Sequence, residues 1–489
     1  MERPNAWKRL GQEQLAELEE LSRDYTQFIT ECKTERLCAR RSVELAKMAG
    51  YRPLEELVVE GATLQPGAKV VACNAGKAVM LVQLGSRPLS EGMNILGAHI
   101  DSPRLDVKQN PVYESNELAY LDTHYYGGIK SYQWVTLPLA LYGVVAKKDG
   151  TVVDVSIGDD PADPVFMVTD LLPHLGAEQM KKSANDVIDA EALDLLVGSR
   201  PLTLQAEEVE AASEKVKAAE GSAVPADYQD VLAAASAKEA VKSRLLGILF
   251  DKYGIEEEDF LSAELEVVPA GAARDCGLDR SMIAGYGQDD RVCAYTSLRA
   301  HLAVEAPERT AVTILVDKEE IGSVGATGMS SRFFENTLAE VFALAGEPSD
   351  LTMRRALSNS RMLSSDVSAA FDPAYASVFE AKNTAFAGHG LVFNKFTGAR
   401  GKSGSNDANA EYVAHVRRVM DEAGVSFQTA ELGRVNAGGG GTIAYIPAKY
   451  GMDVIDSGVA VLSMHAPWEI TSKVDVYEAY RGYQAFLRA

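Results

Sequence analysis

Residues 310–328, TAVTILVDKEEIGSVGATG, pass from a β-branched apolar segment through two adjacent glutamates into a glycine-rich turn. The apolar segment predicts a buried strand, because β-branched side chains pack well in sheets. Glu319 and Glu320 stand where this strand ends. Charged residues often follow strands, and the pair alone indicates no more than a solvated turn. A metal site would need partners at other strand ends, so histidines and aspartates elsewhere decide between the two interpretations.

Length and composition restrict the kind of protein. The chain has 489 residues, more than the roughly 250–300 at which a single core stops growing, so two domains are expected. Its 48 basic and 70 acidic residues give a net charge of −22, which opposes nucleic-acid binding. Such binding depends on Lys and Arg displacing counterions from phosphates, so we expect no nucleic-acid partner.

The sequence indicates neither membrane insertion nor export. Its first residues, MERPNAWKRLGQEQLAELEE, lack the apolar core of a signal peptide. The longest nearly apolar run, residues 134–146, is shorter than the roughly 20 residues that a spanning helix needs. Five cysteines without a CxxC pair indicate reduced thiols. We therefore expect a cytoplasmic protein with no membrane partner and no zinc held by thiolates.

The order of predicted elements indicates an α/β fold. Apolar spacing predicts helices over 11–49 and two strands about an Asn-Ala-Gly turn over 69–85. After about residue 277, strands again alternate with amphipathic helices. Such alternation predicts a sheet covered by helices on both faces, with ligands bound at strand ends. Between these parts, short β-rich segments occupy 105–158, and residues 175–252 predict exposed helices interrupted near Gly221 and Pro225.

Imidazole and carboxylate side chains collect where the predicted strands end. A single histidine or aspartate in such a place is usually a core or turn residue. Together, however, two histidines and several carboxylates suit two divalent ions about 3.5–4 Å apart, bridged by one carboxylate and one water. Adjacent glutamates fit this arrangement, because one can bind metal while the other acts as general base on the water. The residues are His99, Asp101, Asp289, Asp290, Glu319, Glu320, Asp366 and His465.

Two further patterns bear on the type of metal site. Asp101 follows His99 in the sequence HID, where its carboxylate can accept the second ring N–H and fix the tautomer. The chain contains no HExxH motif, so a single-zinc protease of that helical type is not indicated.

Six segments resemble, in order, the motif series of the aspartyl aminopeptidase and aminopeptidase I family of dinuclear zinc peptidases. The resemblance implies a catalytic α/β domain with a central mixed β-sheet flanked by helices, residues 1–107 and 277–489. An inserted β-rich dimerisation domain with an acidic helical segment, residues 108–276, would interrupt it. The segments are GAHIDSPRLDVK (97–108), YGQDDRVCAY (286–295), DKEEIGSVGATG (317–328), SSDVSAAFDP (364–373), GGGGTIA (438–444) and SMHAPWEI (463–470).

The same resemblance implies roles for individual residues. Each subunit would hold two divalent ions, Zn²⁺ in the first instance, with Co²⁺ or Mn²⁺ as alternatives. Glu319 would be the general base and Asp101 the residue that orients a ligand. The implied ligands are His99, Asp289 and Asp366 for one ion, and Asp289, Glu320 and His465 for the other, with Asp289 bridging.

Substrate contacts are implied less directly. In family members a histidine of the inserted domain reaches the substrate across the dimer interface, and His124 is the candidate here. A basic residue in the specificity pocket, for which Lys395, Arg400 and Lys402 are candidates, would attract an acidic first residue. The glycine run 438–441, including Gly440, predicts a backbone wall close to the substrate; it lacks the Lys-Ser/Thr ending of a phosphate-binding loop.

The function implied is removal of the N-terminal residue from peptides with a free N-terminus, by dimers assembled into a dodecamer. Whether that residue is acidic (Asp or Glu) or neutral stays open at this point. A related dinuclear-metal deacylase or carboxypeptidase is an alternative. A non-catalytic oligomeric assembly protein that retains only the fold is a third.

Overall fold

The computed structural model of the protein describes residues 4–202 and 239–489. None of the helices in these ranges is long and apolar enough to cross a membrane. In chain order the helices are α1 (Gln12–Glu31), α2 (Glu35–Met48), α3 (Leu54–Glu60), α4 (Ala240–Tyr253), α5 (Gln288–Leu302), α6 (Phe333–Leu344), α7 (Asp350–Ser358), α8 (Ala410–Glu422), α9 (Tyr445–Ala448) and α10 (Lys473–Arg488).

The strands form three sheets and include the predicted hairpin β2–β3. In chain order they are β1 (Arg52–Pro53), β2 (Lys69–Asn74), β3 (Ala78–Gln83), β4 (Met93–His99), β5 (Arg104–Ser115), β6 (Leu118–Tyr126), β7 (Leu139–Ala146), β8 (Val152–Ile157), β9 (Met167–Val168), β10 (Leu195–Gly198), β11 (Ala263–Pro269), β12 (Arg274–Cys276), β13 (Met282–Gly285), β14 (Thr310–Val316), β15 (Arg361–Ser365), β16 (Ser368–Ala369), β17 (Leu391–Asn394), β18 (Phe427–Thr429), β19 (Asp453–Gly458), β20 (Ala460–Leu462) and β21 (Glu469–Ser472).

The chain divides into two compact units. The first consists of Met1–Pro103 with Ala272–Ala489, and the second of Arg104–Gly271. The boundaries expected from the sequence, after 107 and after 276, lie a few residues from these.

A nine-stranded mixed sheet forms the centre of the first unit, in the order β1-β2-β3-β14-β4-β15-β19-β17-β18. Its strands β14, β4, β15 and β19 are parallel, with Val316 beside His99 and Ser365 beside Ser457. Their carboxyl ends therefore meet at one edge. This mixed sheet between helices confirms the predicted α/β fold class.

Helices cover both faces of this sheet, because alternate residues of its apolar strands enter two separate cores. Ile95, Ile314 and Met362 pack with α3 and α6 on one face. Their neighbours Leu96, Leu315 and Leu363 pack with α1, α5 and α10 on the other. Strands buried on both faces read as continuous apolar runs, which is why TAVTILV predicts its strand so clearly.

A five-stranded sheet, in the order β12-β13-β21-β20-β16, completes the first unit. Strand β13 pairs antiparallel with β21, and Gly285 lies opposite Glu469. This register brings the start of α5, just after β13, beside the turn that joins β20 to β21.

The second unit is built on a seven-stranded sheet, in the order β8-β7-β11-β5-β6-β10-β9, with helix α4. The prediction of helices over 175–252 is wrong for residues 175–202, which form short 3-10 turns and strand β10. Leu195 is buried and pairs with Leu121 of β6, so sheet pairing outweighs local helix propensity here. The break expected near Gly221 and Pro225 lies outside the described residues.

Candidate metal centre

The edge where the parallel strands end supplies four of the predicted site residues. His99 is the last residue of β4, and Asp366 directly follows β15. Glu319 and Glu320 lie in a short 3-10 turn after β14. Because these strands are neighbours and parallel, their terminal side chains converge, as ligand sites do in open α/β sheets.

Segments that adjoin the five-stranded sheet supply Asp289, Asp290 and His465. Asp289 and Asp290, expected at a strand end, instead begin helix α5, where both have non-helical backbone angles. His465 lies in the turn between β20 and β21 with a positive φ of 63°. Its side chain is 38% exposed, whereas that of His99 is 1% exposed. The cluster is therefore closed at His99 and open to solvent at His465.

Asp289 lies between the two histidines. Its Oδ1 is 3.1 Å from His99 Nε2, and its Oδ2 is 3.2 Å from His465 Nε2. Ligands of a tetrahedral zinc ion, at about 2.0–2.1 Å from the metal, stand about 3.3 Å from one another. Each oxygen of Asp289 thus has a histidine at the separation expected for two ligands of one ion.

Further carboxylates lie close to each pair formed by Asp289 and a histidine. Within the described residues, candidate ligand atoms lie within 4.8 Å of one another in three groups, two of which share Asp289. Those two coincide with the ligand sets implied by the sequence motifs. The groups are His99–Asp289–Asp366, Asp289–Glu320–His465 and His99–Glu319–Glu320.

The chemistry of these residues fits divalent cations. Asp289 Oδ1 and Glu320 Oε1 are buried and accept no hydrogen bond from any residue in 4–202 or 239–489, although each has a histidine nearby. Burial, and then the charge of Asp289, raises the pKa of Glu320. Burial, followed by Glu319 and Asp289, likewise raises the pKa of Asp366. Carboxylates packed together in this way lack countercharge, which divalent cations would supply.

Asp101 contacts both halves of the strand-end cluster. Its carboxylate accepts hydrogen bonds from the backbone N–H of Glu319 and of Glu320, each at 3.2 Å. His99 Nδ1 lies 3.0 Å from the carbonyl oxygen of Asp101 and 3.3 Å from its Oδ1. One buried carboxylate therefore holds the glutamate turn and faces the ring nitrogen of His99 that points away from Asp289.

Glu319 has the environment of a proton acceptor. Its Oε2 lies 4.0 Å from His99 Nε2, and its side chain is 15% exposed. Burial raises the pKa of Glu319 to about 7; Asp289 and Asp101 add to the rise, while His99 opposes it. A carboxyl group whose pKa lies near neutrality is suited to accept and return a proton.

The ligand groups found among the described residues include none of the predicted substrate candidates, which are His124, Lys395, Arg400, Lys402 and Gly440. His124 lies on β6 in the second unit, exposed and stacked on Tyr125 at 5.3 Å. Lys395 follows β17 and donates a hydrogen bond to Asp407, which also accepts one from Lys402 at 2.9 Å. One carboxylate thus opposes both lysines.

In the glycine run 438–441, close packing between loops requires glycine at positions other than Gly440. A Cβ at Gly438 would stand 2.0 Å from the carbonyl oxygen of Leu432, and one at Gly439 would stand 2.1 Å from that of Gly398. A Cβ at Gly440 would make ordinary contact, 3.6 Å from Leu432 Cδ2. The glycines at 438 and 439 therefore allow chain segments to approach one another.

Sequence reasoning missed Glu469, which is buried and accepts hydrogen bonds from the backbone N–H of Asp289 and of His465. It also missed Ser102, whose Oγ donates to the carbonyl oxygen of Asp289 at 2.5 Å. Glu469 lies within the motif SMHAPWEI, where a carboxylate next to a buried strand could have marked it as a candidate. Its role and that of Ser102 could not be predicted, because hydrogen bonds from a side chain to a distant backbone have no characteristic sequence spacing.

Comparison with known proteins gives a consistent result. The family model of aminopeptidase I zinc metalloproteases (M18) matches residues 28–487. "Probable M18 family aminopeptidase 1" of Clostridium acetobutylicum is 55% identical over 483 residues, 99% of this chain and 97% of that protein.

Solved structures agree. The M18 aminopeptidase of Thermotoga maritima superposes with a TM-score of 0.89 at 42% identity, over 100% of this chain and 99% of that chain. Aminopeptidase I of Clostridium acetobutylicum gives a TM-score of 0.88 at 53% identity, over 100% of both chains. The resemblance in the sequence motifs is confirmed, and the chain belongs to the M18 family of zinc metalloproteases as an aminopeptidase.

Proposed function

We propose that this aminopeptidase removes the N-terminal residue from peptides with a free N-terminus, using two divalent ions, Zn²⁺ in the first instance. Asp289 carries the proposal, because its two carboxylate oxygens face His99 and His465 at 3.1 and 3.2 Å. A carboxylate with other candidate ligands beside each of its oxygens is typical of two metal ions that share one bridging ligand. Asp366 would complete one set and Glu320 the other.

The metal ions, Glu319 and Asp101 would have different roles in the reaction. When bound, the two ions would polarise the scissile carbonyl and acidify a water molecule. Glu319 would accept the proton of the attacking water and return it to the leaving amine, since its carboxylate lies beside the proposed ligand His99 and is largely shielded from solvent. Asp101 fixes the backbone of Glu319 and Glu320, so the base and the ligand keep their relative positions.

The charge of the site supports the same chemistry. The proposed ligands include three carboxylates, Asp289, Glu320 and Asp366, which together leave one net positive charge on two divalent ions. A residual positive charge stabilises the oxyanion that develops as a peptide carbonyl is attacked.

Blocked and free peptides distinguish this activity from its alternative within the same metal class. We expect the purified enzyme to hydrolyse a leucyl peptide with a free amine and to leave its N-acetylated form intact. A deacylase would cleave the acetylated form, and a carboxypeptidase would release the C-terminal residue from both. Release of products by chromatography measures the outcome, and preference for the acetylated peptide would contradict the proposal. Absence of turnover, with less than one divalent ion per chain, would favour an assembly protein.

We further propose that this chain prefers a neutral first residue. The motif resemblance offers Lys395, Arg400 and Lys402 as candidates for the specificity pocket, but Asp407 accepts hydrogen bonds from both Lys395 and Lys402. This carboxylate already opposes the charge that would attract an acidic first residue.

The preference leads to a test at Asp407. Asp407→Asn is expected to raise the rate on Asp and Glu reporter substrates relative to Leu by roughly twofold to fivefold, the scale of one exposed ion pair. Asp350→Asn, which removes another exposed ion pair, with Arg354, is the control and leaves the ratio unchanged. A ratio of rates that does not rise in Asp407→Asn argues against the assignment.

We also propose that the protein self-associates and works in a reducing cytoplasm. The mApe1 dodecamer of S. cerevisiae shares the fold of this chain, with a TM-score of 0.72 at 18% identity. The β-rich unit Arg104–Gly271 would be the dimerisation domain, with dimers assembling into the dodecamer. The five cysteines are free thiols, which suits that compartment. Sedimentation velocity would show one species much heavier than the 52.6 kDa chain.

A further inference from the structure

Glu469 joins the two residues that face each other across the open side of the metal centre. It lies at the start of β21 and is 2% exposed. Its Oε2 accepts a hydrogen bond from the backbone N–H of Asp289 at 3.1 Å. Its Oε1 accepts one from the backbone N–H of His465 at 2.7 Å. Both oxygens of one side chain are therefore bonded to the main chain of candidate ligands.

Neither residue has the backbone angles of a regular helix, and the positive φ of His465 is unfavourable for a residue with a side chain. Asp289 has non-helical angles in the first turn of α5, with φ −80° and ψ 107°. His465 has a positive φ of 63° in a turn that also holds Ser463 at a φ of 59°. Regular helix or strand hydrogen bonds do not fix such conformations, and positive φ is unfavourable for residues with a side chain. Hydrogen bonds to a side chain can hold both backbones in place.

We propose that Glu469 is a positioning residue for the metal site formed by Asp289, Glu320 and His465, two of whose three members it bonds through their backbones. It presets the 3.2 Å separation between Asp289 Oδ2 and His465 Nε2 by fixing both backbones. The inference rests on the proposed function, since it presumes that these residues bind an ion. Asp101 does the corresponding work on the opposite side of the cluster, for Glu319 and Glu320.

A carboxylate is needed for this role. Both N–H groups require an acceptor, and a carboxylate offers two equivalent oxygens. A glutamine keeps the shape but offers one oxygen, and its NH₂ group would face a second N–H donor. Glu469→Gln should therefore release one of the two backbones while leaving the packing of β21 unchanged.

The chain contains a matched control in Asp475. It is fully buried in α10 and accepts hydrogen bonds from the backbone N–H of Gly388 at 2.7 Å and of Gly390 at 2.6 Å. Its bonds are of the same type as those of Glu469, but neither partner is a candidate ligand. Asp475→Asn thus measures the general cost of losing one such acceptor.

Titration of Co²⁺ into chelator-treated protein tests the proposal, with metal content per chain and the visible absorption of bound cobalt as readouts. Glu469→Gln is expected to weaken one of the two ions by about 10–100-fold and to alter its cobalt spectrum, the usual scale for residues that orient ligands. Binding of the other ion is expected to weaken less, because Asp289 is the one member of its ligand group that Glu469 bonds. Asp366→Ala, which removes a ligand from the opposite site, identifies the two steps. Asp475→Asn titrates like the wild type.

Every outcome is informative. Glu469→Gln binding both ions with wild-type affinity and spectrum would overturn the proposal, as would equal losses in Asp475→Asn. If Glu469→Gln does not fold, Glu469→Asp decides, because it keeps two acceptor oxygens on a shorter side chain. It should still weaken the same ion, because the shorter side chain cannot reach both N–H groups at the native distances, and unchanged binding would overturn the proposal. A wild-type protein that binds fewer than two ions would instead contradict the proposed function itself.

Discussion

Glu319→Gln is expected to keep both metal ions and the oligomer while losing nearly all turnover. The amide preserves the shape of the side chain but cannot accept a proton from the attacking water. General-base catalysis contributes about 10²–10⁴-fold, and a base that also returns the proton to the leaving amine can contribute more. The largely buried position of Glu319 beside His99 fits this role. Steady-state kcat, measured beside metal content, checks it.

The control is the same chemical change at an exposed site. Glu340 lies on the exposed side of α6, and Glu340→Gln should leave both kcat and metal content at wild-type values. If Glu319→Gln keeps more than a tenth of the wild-type rate, Glu319 is not the general base. Loss of metal in the variant would instead identify Glu319 as a ligand, as the group His99–Glu319–Glu320 permits.

Asp289→Asn should weaken the binding of both ions, because each of its oxygens faces a different histidine. Asp366→Ala and His465→Ala should each weaken mainly one. A bridging carboxylate is a ligand of both ions, so its loss lowers the affinity of both sites. Titration of metal into the apo-protein, followed by metal content per chain, separates the one-site variants from the two-site variant.

Asp290 provides a neighbouring control. Its side chain is fully buried, and burial raises the pKa of its carboxyl group well above the usual range. Asp290 belongs to none of the candidate ligand groups among the described residues, so Asp290→Asn should leave metal content nearly intact. If Asp290→Asn loses both ions and Asp289→Asn loses neither, the ligand assignment is shifted by one residue and the whole cluster has to be reassigned.

The strands that form the metal centre could be predicted because they are buried on both faces. MNILGAH and TAVTILV are continuous apolar runs, so their ends, and the polar residues after them, are marked in the sequence. Residues 175–202 could not be predicted in the same way, since their Ala, Glu and Lys content favours helix. Strand β10 forms there because Leu195 finds a partner in Leu121 across the sheet.

Substrate contacts were predicted less well than the ligand groups, for a related reason. Lys395 is a cation in the sequence, but its partner Asp407 is brought to it by a loop closure that no local pattern records. Gly440 was selected from a run of four identical residues, whereas the close approaches occur at Gly438 and Gly439. Contacts between two loops depend on the path of each loop, which local sequence patterns do not specify.

The sequence by itself determined the fold class, the family and the residue types available at the strand ends, because periodicity and motif order are local properties of the chain. Only the tertiary structure decided which of them converge. The pairing of Gly285 with Glu469 brings Asp289 beside His465. The two bonds of Glu469 then hold both backbones. These contacts join segments far apart in the chain, and their geometry arises only when the two sheets of the first unit have folded.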